Sequence, residues 1–400
     1  MKWQTKELPE VVFFQEGPGV RKWQFKETGI KLINGGNINE GLIDLSSTKI
    51  YISEEEAYGK YKHFMIDEGD LVIASSGVLV DNFHNKIAFI EKKHLPLCMN
   101  TSTIRFKTLD KKTLNMNYFR FFLKTNIFKS QIRKLITGSA QLNFGPSHLK
   151  KIKIPLPPIA EQIRIADVLS RAESLIAKRK ETIKMLDEYL KSVFLDMFGD
   201  PQSNEIKFNL KRISDVCKEI VDCVNKTAPN EEEKTPYIMV RTSNIRNGTI
   251  SLENIKYVNE KTYKIWTRRS VPLKNDILFT REAPLGEVGI IDFNDNIFLG
   301  QRIMCYRFDT NKANPIFMLY FMQTRYFKNQ IAKLGKGSTV KHLSVPDCYK
   351  IKVFVPEIEM QNNFCNIVNK VEILKSFCNK YLLESIILQN TLNNLIFNIC

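Results

Sequence analysis

The longest pattern in the chain is a recurrence of side chains at alternating spacings of four and three. It runs through Ile165, Leu169, Ala172, Ile176, Arg179, Ile183, Leu186, Leu190, Val193 and Met197. It returns in Ile367, Val371, Leu374, Cys378, Tyr381, Ser385, Leu388, Leu392, Leu395 and Ile399. A heptad stripe of this length predicts a long helix with one apolar seam. Pro155, Pro157 and Pro158 stand where the first helix would begin and Pro356 where the second would, and residues 159–198 contain neither Gly nor Pro. At 1.5 Å per residue each helix would reach roughly 60 Å. Two such helices of equal length predict pairing with each other, Ile176, Ile183, Leu186, Leu190 and Val193 facing Val371, Leu374, Leu388, Leu392 and Leu395. Elsewhere the apolar runs are short and β-branched or aromatic, as in DLVIASSG, NKIAFIEKK, STIRFKTL, GEVGIIDF and QRIMCYRFD, with Gly, Asn and Asp between them. They read as strands and turns. Only the stretches around 116–135 and 315–334 look helical, which makes each non-heptad region α+β.

The chain is an internal repeat. A shift of 199 residues lays Phe128, Lys129, Gln131, Ile132, Lys134, Leu135, Gly138 and Ser139 on Phe327, Lys328, Gln330, Ile331, Lys333, Leu334, Gly337 and Ser338 without a gap. The register holds through Pro157, Ile159 and Gln162 against Pro356, Ile358 and Gln361. Upstream the shift is 206, Asp70 meeting Asp276, so the first copy carries about seven extra residues between these blocks, an insertion expected in a surface loop. The resulting parse is two globular modules, 1–157 and 200–356, each followed by a long helix, 158–199 and 357–400.

Charge follows the same division. Lys and Arg number 59 against 43 Asp and Glu, a formal +16. The two modules carry +9 and +8, and the helical segments 0 and −1. Positive charge confined to the modules points to a polyanion, nucleic acid first, with the helices as spacer. The opening MKWQTKELPE has no apolar signal core and no stretch approaches the roughly 18 apolar residues of a membrane span, so no membrane partner and a cytoplasmic location are expected. Eight scattered cysteines without a C-x-x-C pair read as reduced thiols packed as small apolar groups, and no metal site is expected.

Asp81 with Glu91-Lys92-Lys93 imitates the carboxylate and lysine set by which nucleases hold Mg²⁺, but the second copy lacks it. GKGST at 335–339 lacks the glycine and lysine spacing of a phosphate loop. Lys336, Gly337, Ser338, Thr339 and Lys341 fit either a DNA phosphate contact or a plain turn, as do Gly138, Ser139, Gln141 and Asn143 in the first copy. Bidentate base reading uses Arg for guanine and Asn or Gln for adenine. Candidates in polar, flexible segments are Lys31, Asn34, Asn37, Ser75 and Ser76 in the first module, and Arg241, Thr242, Asn244, Arg246 and Arg281 in the second.

The block GSAQLNFGPSHLKKIKIPLPPIAEQIRIADVLSRAE, followed by a heptad helix ending FLDMFGDP, resembles the specificity subunits of Type I restriction–modification systems. The matching residues are Gly138-Ser139, Pro155, Pro157, Pro158, Glu161-Gln162 and Phe198-Gly199-Asp200-Pro201, with Gly337-Ser338, Pro356 and Gln361 in the second copy, where Met360 replaces the glutamate. The resemblance implies two target-recognition domains on antiparallel helices, each reading half of a bipartite, asymmetric site in double-stranded DNA. It implies two methylation subunits as partners, with restriction subunits joining in some assemblies. S-adenosylmethionine, ATP and Mg²⁺ would then belong to those partners and none to this chain, which would perform no chemistry. A self-contained DNA-modifying enzyme is the competing class, separable by asking whether the purified chain alters DNA by itself.

Overall fold

The computed structural model describes residues 3–46, 48–136, 141–199, 210–337 and 341–398. It divides into two units, Met1–Lys180 with Lys380–Cys400, and Glu181–Asn379.

In the first unit an antiparallel sheet runs in the order Val12–Glu16, Thr103–Thr108, Leu71–Ala74, Ile87–Phe89. A smaller sheet has Leu97–Met99 parallel to Ile30–Ile33, which pairs antiparallel with Tyr51–Ile52. Thr5–Glu7 pairs with Lys153–Pro155, so the module's beginning and end are closed on each other. The second unit repeats this plan. Its larger sheet runs Cys217–Asp222, Ile303–Phe308, Ile277–Arg281, Leu285–Ile290, and its smaller one Lys256–Val258, Tyr237–Val240, Asn296–Leu299 with the last pair parallel. Leu210–Arg212 closes on Lys352–Phe354. Even the register agrees, Ile73 opposing Ile104 where Phe279 opposes Met304.

The residues that repeat in sequence turn out to hold this scaffold. The stretches expected to be helical around 116–135 and 315–334 are each two helices, Met116–Lys124 with Asn126–Leu135 and Pro315–Gln323 with Arg325–Leu334. Thr125 and Thr324 break them, each capping its second helix by accepting the third amide at 3.2 and 3.3 Å. Gln131 exchanges two hydrogen bonds with the backbone of Lys153 (2.9 and 2.8 Å), and Gln330 does the same to Lys352 (2.9 and 2.7 Å). Gln162 and Gln361 are fully buried. The Gln162 side chain accepts from the Asn115 amide (2.9 Å) and donates to the carbonyls of Thr113 (2.9 Å) and Pro157 (2.8 Å), and Gln361 repeats this on Asn314, Lys312 and Pro356. Such buried amides are retained because the backbone groups they satisfy would otherwise be left unpaired.

Short helices missed by the pattern reading lie at Glu54–Tyr58, Pro146–Leu149, Glu260–Trp266 and Val345–Lys350. They are too short to show a period, and three are started by side-chain caps from Ser53, Asn259 and Ser344. The insertion expected in a surface loop falls mainly between Leu71–Ala74 and Ile87–Phe89, where the first unit adds the strand Ser76–Leu79 and the turn Val80–Asn85. It is more than a loop, because Phe83 is buried and stacks on Phe128 at 5.4 Å.

The long helices span Ile159–Phe198 and Ile358–Asn398. The first unit takes the beginning of one and the end of the other, and its core encloses Ile165, Leu169 and Phe397 with Leu392 and Ile396 beside them. Arg179 donates to the Tyr381 carbonyl and the Ser385 hydroxyl, so within this unit the two segments run antiparallel. In the second unit Phe194 and Phe198 meet Phe364 edge-on at 5.4 and 5.7 Å, and Lys375 pairs with Asp187 at 2.7 Å, again antiparallel.

Ile176, Ile183, Leu186, Leu190 and Val193 lie on the covered side of the central helix, as do Val371 and Leu392 on the C-terminal one. Leu374, Leu388 and Leu395 do not. They are 53%, 59% and 55% exposed, and the covered positions one residue later are Lys375, Gln389 and Ile396. At Leu374 hydrophobicity misleads because a lysine holds the covered position, its ammonium pairing with Asp187 and Glu372 at 2.7 Å each.

Candidate nucleic-acid interface

Each unit gathers four chain segments at one corner. In the first, the turn Gly35–Asn37 is tied to the residue that leads into the strand Thr103–Thr108, the Gly35 amide donating to Ser102 Oγ at 3.1 Å. A Cβ on Gly35 would stand 2.9 Å from that of Ala74, so the turn presses directly on the sheet. Ser75 donates its amide to the Ser102 carbonyl at 2.9 Å, and Phe144 donates to the Ser75 carbonyl at 3.1 Å. The strand Gln141–Asn143 is thereby brought alongside Ser76–Leu79.

The second unit builds the same corner at equivalent positions. Arg281 donates its amide to the Arg302 carbonyl at 2.8 Å, and Leu343 donates to the Arg281 carbonyl at 3.0 Å. Thr242 Oγ1 donates to the Ala283 carbonyl at 3.2 Å, and Glu282 bridges to His342 across the pair. The Gly300 amide reaches the Val240 carbonyl at 2.7 Å, a contact that a side chain at 300 would block at 2.6 Å.

The candidate readers divide sharply here. Asn37 and Asn244 are buried, and both are turn locks. Asn37 accepts from the Asn34 amide and donates to the Asp44 carbonyl, while Asn244 accepts from the Arg241 amide and donates to the Glu253 carbonyl, at 2.9 to 3.0 Å. Neither offers an amide edge to a base. Ser75 is buried too, as is Arg281, whose guanidinium donates to the Leu343 carbonyl at 3.1 Å. Lys31 is half-buried and donates to the Leu45 carbonyl at 3.0 Å. Arg241 donates to the Asn254 carbonyl (2.6 Å), and the exposed Arg246 folds back on the Thr242 carbonyl (2.6 Å). Asn34 caps its turn by accepting from the Gly36 amide at 2.8 Å, and Ser76 is exposed.

Lys336, Gly337 and Lys341 are exposed, and Lys336 exchanges backbone bonds with His342 and lies 3.9 Å from Asp347. Gly138, Ser139, Ser338 and Thr339 lie outside the described residues, as do the side chains of Gln141 and Asn143.

Three residues at these corners escaped sequence reasoning. Lys86 donates to Asn39 Oδ1 (2.6 Å) and the Gly35 carbonyl (3.3 Å), Ser102 ties turn to sheet, and Arg302 pairs through Nε with Glu282 at 3.1 Å. The repeat shift of about 200 that aligns the strands at 103 and 303 would have exposed positions 102 and 302 as a divergent pair.

Of the nuclease-like set, Glu91 pairs with Lys93 at 2.9 Å, and the Asp81 side chain lies outside the described residues. Among the described residues no three His, Cys, Asp or Glu gather as a metal ion would require. Burial pushes the Cys98 and Cys348 thiols up to about 12. No helix among the described residues is long and apolar enough to cross a membrane.

Comparison with known proteins places this architecture. The family model described as the Type I restriction modification DNA specificity domain matches twice, at residues 1–185 and 205–392. The chain is 24% identical to the putative type I restriction enzyme MjaX specificity subunit of Methanocaldococcus jannaschii, over 90% of this chain and 84% of that one. It is 21% identical to the EcoKI specificity subunit of Escherichia coli K12, covering 88% and 76%. Its fold is similar to the S subunit from M. genitalium (TM-score 0.56, 16% identity, 99% and 96% covered). It is also similar to a chain from a study of complex assembly and conformational transition of the type I R-M system (TM-score 0.58, 14% identity, 98% and 96%).

Proposed function

The chain belongs to the Type I restriction–modification specificity-subunit family, with two repeated target-recognition domains, and from that premise we propose that each domain reads one half of a bipartite site in double-stranded DNA. One observation carries this reading: an identical corner displays different chemistry in the two units. Asn34 stands where the second unit has Arg241, Ser76 where it has Glu282, and Ser102 where it has Arg302. A shared scaffold with divergent polar groups at one place suits two readers of two different sequences.

Specificity subunits are a non-catalytic family, and the chemistry is assigned to partners: adenine methylation from S-adenosylmethionine by two methylation subunits, and ATP- and Mg²⁺-dependent restriction where restriction subunits join. Exposed apolar residues on the long helices support docking there, Leu175, Leu383 and Leu388 in the first unit and Met185, Leu374 and Phe377 in the second. The helices would act as a coiled-coil spacer between the half-sites, and the complex would work in the cytoplasm.

Exchange of one module for that of another specificity subunit tests this, read by methylome sequencing of cells carrying the chain and its methylation partners. One half of the methylated motif should change. Alteration of both halves would defeat the reading.

A further inference from the structure

We propose that Arg302 is the base-reading arginine of the second unit, poised for guanine by Glu282. This rests on the DNA-recognition reading above. Arg302 adopts φ +65°, a left-handed conformation that an L side chain enters only against steric cost. Such outliers persist where the surroundings over-determine them, and they concentrate at functional sites. Here both backbone groups are fixed: the amide donates to Cys223 Sγ at 3.1 Å and the carbonyl accepts from the Arg281 amide at 2.8 Å.

The Arg302 side chain is 46% exposed. Glu282, from the neighbouring segment, forms an ion pair with the guanidinium, its carboxylate 3.1 Å from Nε. Among the described residues neither terminal NH₂ group is hydrogen-bonded, and the half-exposed side chain leaves the outer edge of the planar fork open to solvent. That edge carries the two parallel donors that match O6 and N7 of guanine in the major groove. A carboxylate behind the fork restricts its rotation, which lowers the ordering cost of binding.

The other arginines of this corner are spent internally. Arg281 donates to the Leu343 carbonyl, Arg241 to that of Asn254, and Arg246 to that of Thr242. In the first unit the equivalent place holds Ser102, whose hydroxyl accepts the Gly35 amide. The same backbone position is thus a scaffold contact in one unit and a reader in the other.

The test uses the full chain expressed with its methylation partners, as wild type, Arg302→Ala, Arg302→Lys and Glu282→Gln. Methylomes are paired with binding titrations against DNA carrying each base at each motif position, at several salt concentrations. Arg302→Ala should relax one G·C position in one half of the motif, with discrimination falling about 5- to 150-fold and the other half untouched. Arg302→Lys should not restore it, since an ammonium has no bidentate edge. Glu282→Gln should weaken the same position less.

Uniform weakening across sequences, with the salt slope reduced by about one contact and Lys restoring binding, would make Arg302 a phosphate contact and overturn the proposal. An unchanged motif in Arg302→Ala would overturn it as well. A wild-type chain that directs no bipartite methylation would instead defeat the parent reading.

Discussion

The two units dock their helices on the same long-helix position with different chemistry. In the first, Glu173 of the central helix sits between Arg120 at 2.8 Å and Lys124 at 2.6 Å. In the second, the equivalent Glu372 pairs along its own helix with Lys375 at 2.7 Å and meets the docking helix through the Tyr320 hydroxyl rather than through cations, the positions that were Arg120 and Lys124 being Leu319 and Gln323. The strand contacts differ in the same manner. Asp70 is approached by Arg105 at 3.6 Å and Lys107 at 3.4 Å, whereas Asp276 takes Arg307 through Nε at 2.9 Å and a terminal nitrogen at 2.7 Å. Ionic partners were exchanged freely between the copies, while the buried glutamines, the capping threonines and the phenylalanines at 128 and 327 were kept. The scaffold therefore depends on satisfied backbone and packed rings more than on any one ion pair.

The largest effect that could break this comparison lies at Asp276. Arg307→Met leaves a buried carboxylate without its bidentate partner and should cost about 3–5 kcal/mol in the second unit, since an uncompensated buried charge is the expensive outcome. Lys107→Met should cost only about 1 kcal/mol, because Arg105 remains beside Asp70. Urea unfolding of both variants measures the difference. Equal losses would mean that the two units do not distribute their ionic support as described.

Second in size is Glu173. Burial by itself would push its carboxyl up, but Lys124 and Arg120 together outweigh burial and hold it below the usual 4.5. A carboxylate with a depressed folded-state value contributes stability that is complete above about pH 4.5 and is lost as pH falls through the lower value. Glu173→Gln should thus cost about 2 kcal/mol at pH 7, and the gap from wild type should close toward pH 3. Thermal melts across that range check the sign. A gap that widened on acidification would contradict the pairing.

Much of this fold is legible in the sequence, because duplication makes a noisy signal visible twice. Phe128 and Phe327, Gln131 and Gln330, and Gln162 and Gln361 stood out by alignment. What alignment could not say was which of them face inward: Gln162, a polar residue in the first turn of a long helix, is a fully buried clamp. The candidate site failed for the opposite reason. Asn37, Asn244 and Arg281 have the right functional groups, but turn closure and carbonyl pairing consume those groups, and nothing in composition marks an amide as already occupied. Arg302 was overlooked because it sits at the start of an apolar strand, where its unusual φ has no sequence signature without glycine or asparagine.

The smallest effect is expected at Leu388, and it separates packing from docking. The heptad rhythm places Leu374, Leu388 and Leu395 in the seam, yet all three face outward, while Lys375, Gln389 and Ile396 take the covered positions. Leu388→Glu therefore removes no buried contact and adds a solvated charge to a helix, which should change stability by less than about 0.5 kcal/mol. Leu190→Glu, in contrast, would bury a charge in the ring cluster of Phe194 and Phe198 and should unfold the second unit. If the outward stripe receives a methylation subunit, Leu388→Glu should keep its melting temperature and lose co-purification of that partner. Loss of stability in Leu388→Glu would return the leucine to the seam and make the helix register described here wrong. Retained stability with full co-purification would leave the register intact and move partner docking to another face.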